Sequence, residues 1–209
     1  MPYGDTYLTG SGTLLARDVS GYTNFWVKLF LKDVGIIYTT APRASGETEP
    51  FIWGHFYLKK KSKGKGYYIF DTEILDDMFF IRKSKQTILT SFKWTNAILK
   101  YLLPEHPDNN LLANLYWSMK LLSAKHIPVE AIDWRFTWKW LEGWGLAPDL
   151  VSFHSSKNFN RAEIILLTQI SMLNVQGVME LFTKPLDKEI RENVFKVASR
   201  LAEGFLIEK

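Results

Sequence analysis

An α+β chain is predicted, an N-terminal five-stranded β-barrel followed by an all-helical domain, and three observations predict it. Between residues 7 and 76, short apolar runs alternate with turn residues at close, regular spacing, the pattern of strands in an antiparallel sheet. From Ile81 onward, apolar residues recur at i+3 and i+4, the period of helices. The change falls near Asp76-Asp77, which divides the chain into domains 1–76 and 77–209, with no internal repeat.

The β elements follow in order. Leu8 to Arg17 is a glycine-broken strand, and Ser20-Gly21 marks a turn. Phe25 to Leu31 (FWVKLFL) is strongly apolar, Asp33-Val34-Gly35 signals a hairpin, and Ile36 to Thr40 returns from it. A polar loop over 42–50 leads into Phe51 to Phe70, FIWGHFYLKKKSKGKGYYIF. Alternating aromatic residues favour strands on both sides of this stretch, and Gly64 and Gly66 supply the positive φ that its turn requires. The last strand ends near Leu75. Five short strands of this kind suit a small barrel of the OB type, because closure removes the exposed edges.

The helices are marked by their caps and faces. Ile88, Phe92, Thr95, Leu99 and Leu102 share one face of a first helix, which Pro104 and Pro107 end. Asn109-Asn110 is expected to cap a second helix carrying Leu111, Leu112, Leu115, Met119 and Leu122, closed before Pro128. Glu130 to Gly145 is apolar on nearly every side, as in the buried centre of a bundle, with Gly145 as its C-terminal cap and Pro148 blocking continuation. Asn160 and Glu163 resemble a capping pair leading into residues 164–173, which read equally as helix or strand. A final helix opens at Asp187, with Ile190, Val194, Val197, Leu201 and Phe205 on one face.

Composition narrows the class. At 209 residues and 46% hydrophobic, the chain can bury one large core or two small ones. The absence of cysteine excludes disulfides, thiol nucleophiles and thiolate zinc sites, and suits a reducing cytoplasm. The N-terminal MPYGDTYLTGSG has no charged leader followed by an apolar run, and no apolar stretch reaches the roughly 18 residues of a membrane span. A soluble cytoplasmic protein without a membrane partner is expected.

Little in the chain suggests catalysis. His55, His106, His126 and His154 are scattered, and no phosphate-binding loop, dinucleotide fingerprint or nucleophile elbow is present. Asp71, Glu73, Asp76 and Asp77 form the one dense acidic group. Such carboxylates can hold Mg²⁺ for a nuclease, but at a strand end they more often shape turns. No enzyme activity, cofactor or metal is expected.

Charge points to binding. The net charge is only +4, yet Lys59, Lys60, Lys61, Lys63 and Lys65 crowd the hairpin tip with no acid among them. Arg82, Lys83, Lys85, Lys93 and Lys100 form a second basic zone. Like charges packed so closely repel one another unless a polyanion settles on them, although a lysine cluster also protects a sheet edge. Arg17, Lys28, Lys32 and Arg43 add cations to the barrel, interleaved with Trp26, Tyr38, Trp53, Tyr57, Tyr67 and Tyr68. Single-stranded nucleic acid is held by that combination, with bases on aromatic faces and cations along phosphates. Strand alternation turns about half of these rings inward, so each is core or platform. In the tryptophan-rich helix, Arg135 and Lys139 are spaced i, i+4 and are expected to project together, as a dock for an acidic partner or as a solvated pair.

These residues resemble the RecO family of DNA-repair and recombination mediators in two blocks. Gly12-Thr-Leu-Leu-Ala-Arg17, Phe30-Leu-Lys-Asp-Val-Gly35 and Glu49-Pro50-Phe51 look like that family's opening strand, its strand-turn motif and its lead into the next hairpin. Arg135-Phe136 through Leu141, Gly145 and Ala147-Pro148-Asp149-Leu150 are similar to its helical motif, with the spacing from Phe136 to Gly145 to Pro148 preserved. Leu31 replaces the family's strand-turn threonine, and Ala41-Pro42-Arg43-Ala44 stands for its frequent K-G-A-R. Where many members carry a four-cysteine zinc knuckle, Phe153 stands near the first expected cysteine and the insert shortens to Ser152–Asn160, so no zinc is expected.

The resemblance implies a non-enzymatic protein that binds single- and double-stranded DNA and anneals complementary strands. With a RecR-like partner it would load recombinase onto strands coated by single-strand-binding protein. DNA contact is then expected at Arg17, Lys28, Arg43, Lys59, Lys60, Lys61, Lys63 and Lys65, and receipt of the coating protein's acidic tail at Arg135 and Lys139. The alternative is a protein-interaction adaptor that binds an acidic protein partner, with DNA affinity incidental.

Overall fold

Strand alternation decides what the N-terminal region buries. In the computed structural model, which describes residues 7–20, 24–42, 49–62, 66–147, 149 and 161–183, five strands form one sheet. They are β1 (Tyr7–Ser20), β2 (Asn24–Leu31), β3 (Gly35–Pro42), β4 (Trp53–Lys60) and β5 (Tyr67–Asp76). The order β1-β2-β3-β5-β4 returns to β1, so the sheet closes in a ring. Every second residue points inward, and Leu14, Val27, Leu29, Leu31, Ile37, Ala41, Ile52, Phe56, Leu58 and Ile69 fill the interior. All neighbouring pairs are antiparallel except β3 with β5, where Thr39 faces Tyr67 and Thr40 faces Tyr68. Thr39 Oγ1 donates to the Tyr67 carbonyl at 2.7 Å, which fastens that short parallel seam.

Closure rests on the length and glycines of β1. Its 14 residues serve two neighbours: the first half pairs with β4, and the stretch from Gly12 onward pairs with β2 across a bulge between Leu14 and Ala16. Gly12 lies where both pairings meet, opposite Leu31 and Gly54. A Cβ there would sit 2.0 Å from the Phe30 carbonyl oxygen, and one at Gly54 would sit 2.4 Å from that of Glu73. Gly12 on β1 and Gly54 on β4 therefore allow neighbouring backbones to approach. The β2–β3 turn uses positive φ at Asp33 (60°) and Gly35 (91°).

Five helices follow among the described residues, so the chain is α+β. After a 3₁₀ turn at Phe79–Lys83 come α1 (Lys85–Tyr101), α2 (Asn109–Leu121), α3 (Val129–Gly143), α4 (Arg161–Met172) and α5 (Val175–Thr183). The chain forms two compact units, one of Met1–Arg82 with Ser91–Leu112, the other of Lys83–Thr90 with Ala113–Lys209. In the first unit, the Phe51 and Phe92 rings meet edge-on at 4.9 Å. The link from α1 to α2 also returns to the sheet, where Glu105 N–H donates to the Ile36 carbonyl at 3.1 Å. Asp33 and Asn109 exchange two hydrogen bonds, at 2.9 and 2.6 Å.

That exchange corrects one expectation. Asn109 is occupied with Asp33, and Asp108 caps α2 instead, its carboxylate accepting from Leu111 N–H at 2.8 Å. Residues 164–172, ambiguous from their pattern, are helical within α4. In the second unit, α3 is buried around most of its circumference, including Asp133 and Arg135. Gly145 (φ 69°) ends it, with its N–H bonded to the Glu142 carbonyl at 3.0 Å and Leu146 N–H to that of Leu141 at 2.8 Å. Trp134 Nε1 donates to Ser171 Oγ at 3.0 Å, tying α3 to α4. The predicted helix from Asp187, the Asn160 cap, Gly64 and Pro148 lie outside the described residues. Among those described, no helix is long and apolar enough to cross a membrane.

Candidate nucleic-acid interface

Because Val27, Leu29, Ile37 and Ala41 point inward, their neighbours Trp26, Lys28, Tyr38 and Thr40 form the outer face of β2 and β3. Trp26 lies opposite Thr40, and Lys28 opposite Tyr38. Both Trp26 and Tyr38 are 49% exposed. The lysine hairpin reaches this face. Lys61 N–H donates to the Gly66 carbonyl at 3.0 Å, closing the turn with Gly66 at φ 93°, and the Lys61 ammonium stands 5.1 Å above the centre of the Trp26 ring. A cation held over an exposed indole beside a second exposed ring is the pairing that single-strand binding uses.

The other predicted cations divide by position. Lys28 Nζ lies 3.7 Å from Asp18, a loose surface pair worth about 0–1 kcal/mol. Lys59 points outward on β4, opposite Tyr7 and Tyr68, with its ammonium 5.6 Å over the Tyr7 ring. Lys60 is exposed at the end of β4, opposite Tyr67. Arg17 is elsewhere: it pairs with Val27 and so shares the face of Phe25, over whose ring its guanidinium lies at 4.9 Å. Arg17 Nη1 also meets Glu49 Oε1, outside the strands, at 2.8 Å. Arg43, Lys63 and Lys65 lie outside the described residues. The structure thus brings Lys28 and Lys61 together with Trp26 and Tyr38, places Lys59 further round the ring, and sets Arg17 apart.

The aromatic rings left open by the sequence are now sorted. Trp53 is buried, Tyr67 packs against the core, and Tyr57 and Tyr68 are half-buried on outward positions. Sequence reasoning missed Tyr7 and Phe70, which are 52% and 48% exposed on the ring's exterior. Strand alternation from the inward Leu8 and Ile69 would have found both.

The helical candidates separate. Arg135 is only 6% exposed, so it does not project into solvent beside Lys139. The i, i+4 spacing puts the two residues on one face, but the helix buries Arg135 and leaves Lys139 partly exposed. Burial lowers the Arg135 pKa from its ordinary value, and the Glu142 carboxylate opposes that shift. Its Nη2 reaches the Leu173 carbonyl at a long 3.5 Å, and its Nε has no hydrogen-bond partner among the described residues. Lys139 Nζ pairs with Glu142 Oε2 at 2.7 Å.

The acidic group acts locally. Asp76 and Asp77 accept from the backbone N–H of Met78 and Phe79, each at 2.9 Å, shaping the turn after β5. Asp71 does the same for Thr72. Among the described residues, no three His, Cys, Asp or Glu side chains are grouped to hold a metal ion. The chain matches no family model and no curated protein.

Proposed function

We propose that this chain is a non-catalytic, DNA-binding recombination mediator of the RecO kind. It would bind and anneal single-stranded DNA through an OB-type barrel, act in the cytoplasm, and help load recombinase onto strands coated by single-strand-binding protein. The observation that carries the reading is the Lys61 ammonium over the half-exposed Trp26 ring, beside Lys28 and Tyr38 on the β2–β3 face. In OB folds the face of strands 2 and 3 and the connection between strands 4 and 5 hold oligonucleotides. The ring order β1-β2-β3-β5-β4, with β3 parallel to β5, supports that fold assignment. Phosphates would be held without sequence readout by Lys28, Lys59, Lys60 and Lys61, joined by Arg43, Lys63 and Lys65, with Arg17 contributing only by leaving Glu49. A partner's acidic tail, expected at Arg135 and Lys139 of α3, would reach Lys139 only by displacing Glu142, and Arg135 only where the cover over its guanidinium opens.

The test is fluorescence anisotropy with a labelled oligothymidylate, beside an annealing assay with complementary strands. Trp26→Ala is expected to weaken binding about five- to 150-fold, the loss of one stacked base. If the protein neither binds nor anneals the strands, the mediator reading fails and the adaptor reading replaces it.

A further inference from the structure

The strand pairing carries an outward row of side chains around the ring at one level. Trp26 on β2 faces Thr40 on β3, Thr40 faces Tyr68 on β5, Tyr68 faces Lys59 on β4, and Lys59 faces Tyr7 on β1. Each of the five is next to an inward residue, Val27, Ala41, Ile69, Leu58 or Leu8, so by strand alternation all five point out. Phe70, two residues beyond Tyr68 on the same side of β5, meets the Tyr7 ring edge-on at 5.6 Å and that of Tyr57 at 6.2 Å. The row therefore starts at one exposed ring capped by a lysine, Trp26 under Lys61, and ends at a second, Tyr7 under Lys59.

From this we infer that the bound single strand does not stop at the β2–β3 face but continues across β3, β5 and β4 to a second stacking platform formed by Tyr7 and Phe70. The inference rests on the single-strand-binding reading above and extends it. Four steps between neighbouring strands cover about 19 Å, enough for several nucleotides laid across the strands. Lys61 and Lys59 each hold an ammonium over an aromatic face, so at both ends a lysine that swings from its ring onto a phosphate frees that face for a base. Acidic groups bound the path. Asp18 lies opposite Trp26 on β1, beyond the row's first end, and Asp71 and Glu73 lie on β5 opposite Tyr57 and His55, further from the hairpin tip. A polyanion is repelled from Asp71 and Glu73 and so kept to the level of the row, while Lys28 partly offsets Asp18 at the other end.

The experiment compares dT4 with dT16, near the short and long ends of OB site sizes, on the full chain carrying Trp26→Ala or Tyr7→Ala/Phe70→Ala. The expected result is that Trp26→Ala weakens both ligands, whereas the double substitution weakens dT16 about five- to 150-fold and leaves dT4 within twofold. A Phe70→Leu variant keeps an apolar side chain for packing and is expected to weaken dT16 in the same direction. Photo-cross-linking gives an independent readout: 5-iodouracil scanned along dT16 should reach Trp26 and Tyr7 from different positions. If Trp26→Ala weakens dT16 but the Tyr7 and Phe70 changes do not, and cross-links reach Trp26 alone, the second platform is overturned while the binding reading stands. If neither dT4 nor dT16 binds, or Trp26→Ala is silent, the underlying reading has failed and this inference falls with it.

Discussion

Replacing Lys59, Lys60 and Lys61 by serine tests whether these side chains face phosphates. On single strands the slope of log affinity against log salt is about −0.7 for each phosphate neutralised. Lys28 and the three hairpin lysines give four such contacts among the described residues, hence a slope of about −2.8 from them. Between 50 and 200 mM salt that corresponds to roughly a fiftyfold loss of affinity. The triple variant keeps Lys28 alone of the four, so its loss falls to about threefold. Arg43, Lys63 and Lys65, if they contribute, steepen both slopes alike and leave the difference of about 2.1 intact. Lys59 and Lys61 also rest on Tyr7 and Trp26, and losing two exposed cation–π contacts costs about 1–2 kcal/mol, so folding is checked by circular dichroism at the assay temperature. The assay is anisotropy of a fluorescein-labelled dT16 titrated at four salt concentrations. Parallel slopes for the parent and the folded variant would falsify the assignment of these lysines to phosphate, whatever the change in affinity at one salt.

Four further outcomes follow from the geometry. Arg17→Gln should change that salt slope by much less than 0.7, because Glu49 already holds the guanidinium at 2.8 Å. Gly12→Ala places a methyl 2.0 Å from the Phe30 carbonyl and should destabilise the ring by about 4 kcal/mol or more in urea unfolding, whereas an effect under about 1 kcal/mol would contradict the close approach. Asp108→Ala should cost about 0.5–2 kcal/mol as a lost helix cap, while Asn110→Ala stays within about 0.5 kcal/mol; the reverse order would restore the asparagine cap. Trp134→Phe removes the donor to Ser171 Oγ and should cost about 1–3 kcal/mol, read from the same denaturation curves.

The strands were legible because their inner faces obey a single rule. Leu8, Val27, Leu29, Ile37, Leu58 and Ile69 are where a period of two puts them. Helix α3 was legible as a buried centre for the same reason, and Gly145 as its end. What failed was finer and depended on partners distant in sequence. Asn109 is a good helix-capping residue by type, but Asp33, 76 positions earlier, claims its side chain and leaves the cap to Asp108. The i, i+4 spacing predicts that Arg135 projects together with Lys139, yet the apolar circumference of α3 takes Arg135 inside. Arg17 and Lys28 looked equivalent as cations, and only the register shows that one shares a face with Phe25 and the other with Trp26.

The outer surface of the ring then poses a question that packing does not answer. Inward positions are apolar because burial is favourable, so their chemistry follows from folding alone. Outward positions carry no such requirement, and single exposed apolar residues need no explanation. Here the exposed rings are not single. Tyr7 and Phe70 touch one another, Trp26 and Tyr38 stand on adjacent strands, and Lys59 and Lys61 cover a ring in each group. A lysine cluster serving only to protect an edge has no task on a sheet whose strands close in a ring. Closure removes the edge and leaves the cations, and on the reading proposed above a ligand that needs cations beside flat apolar faces would account for both. A single strand of nucleic acid is such a ligand.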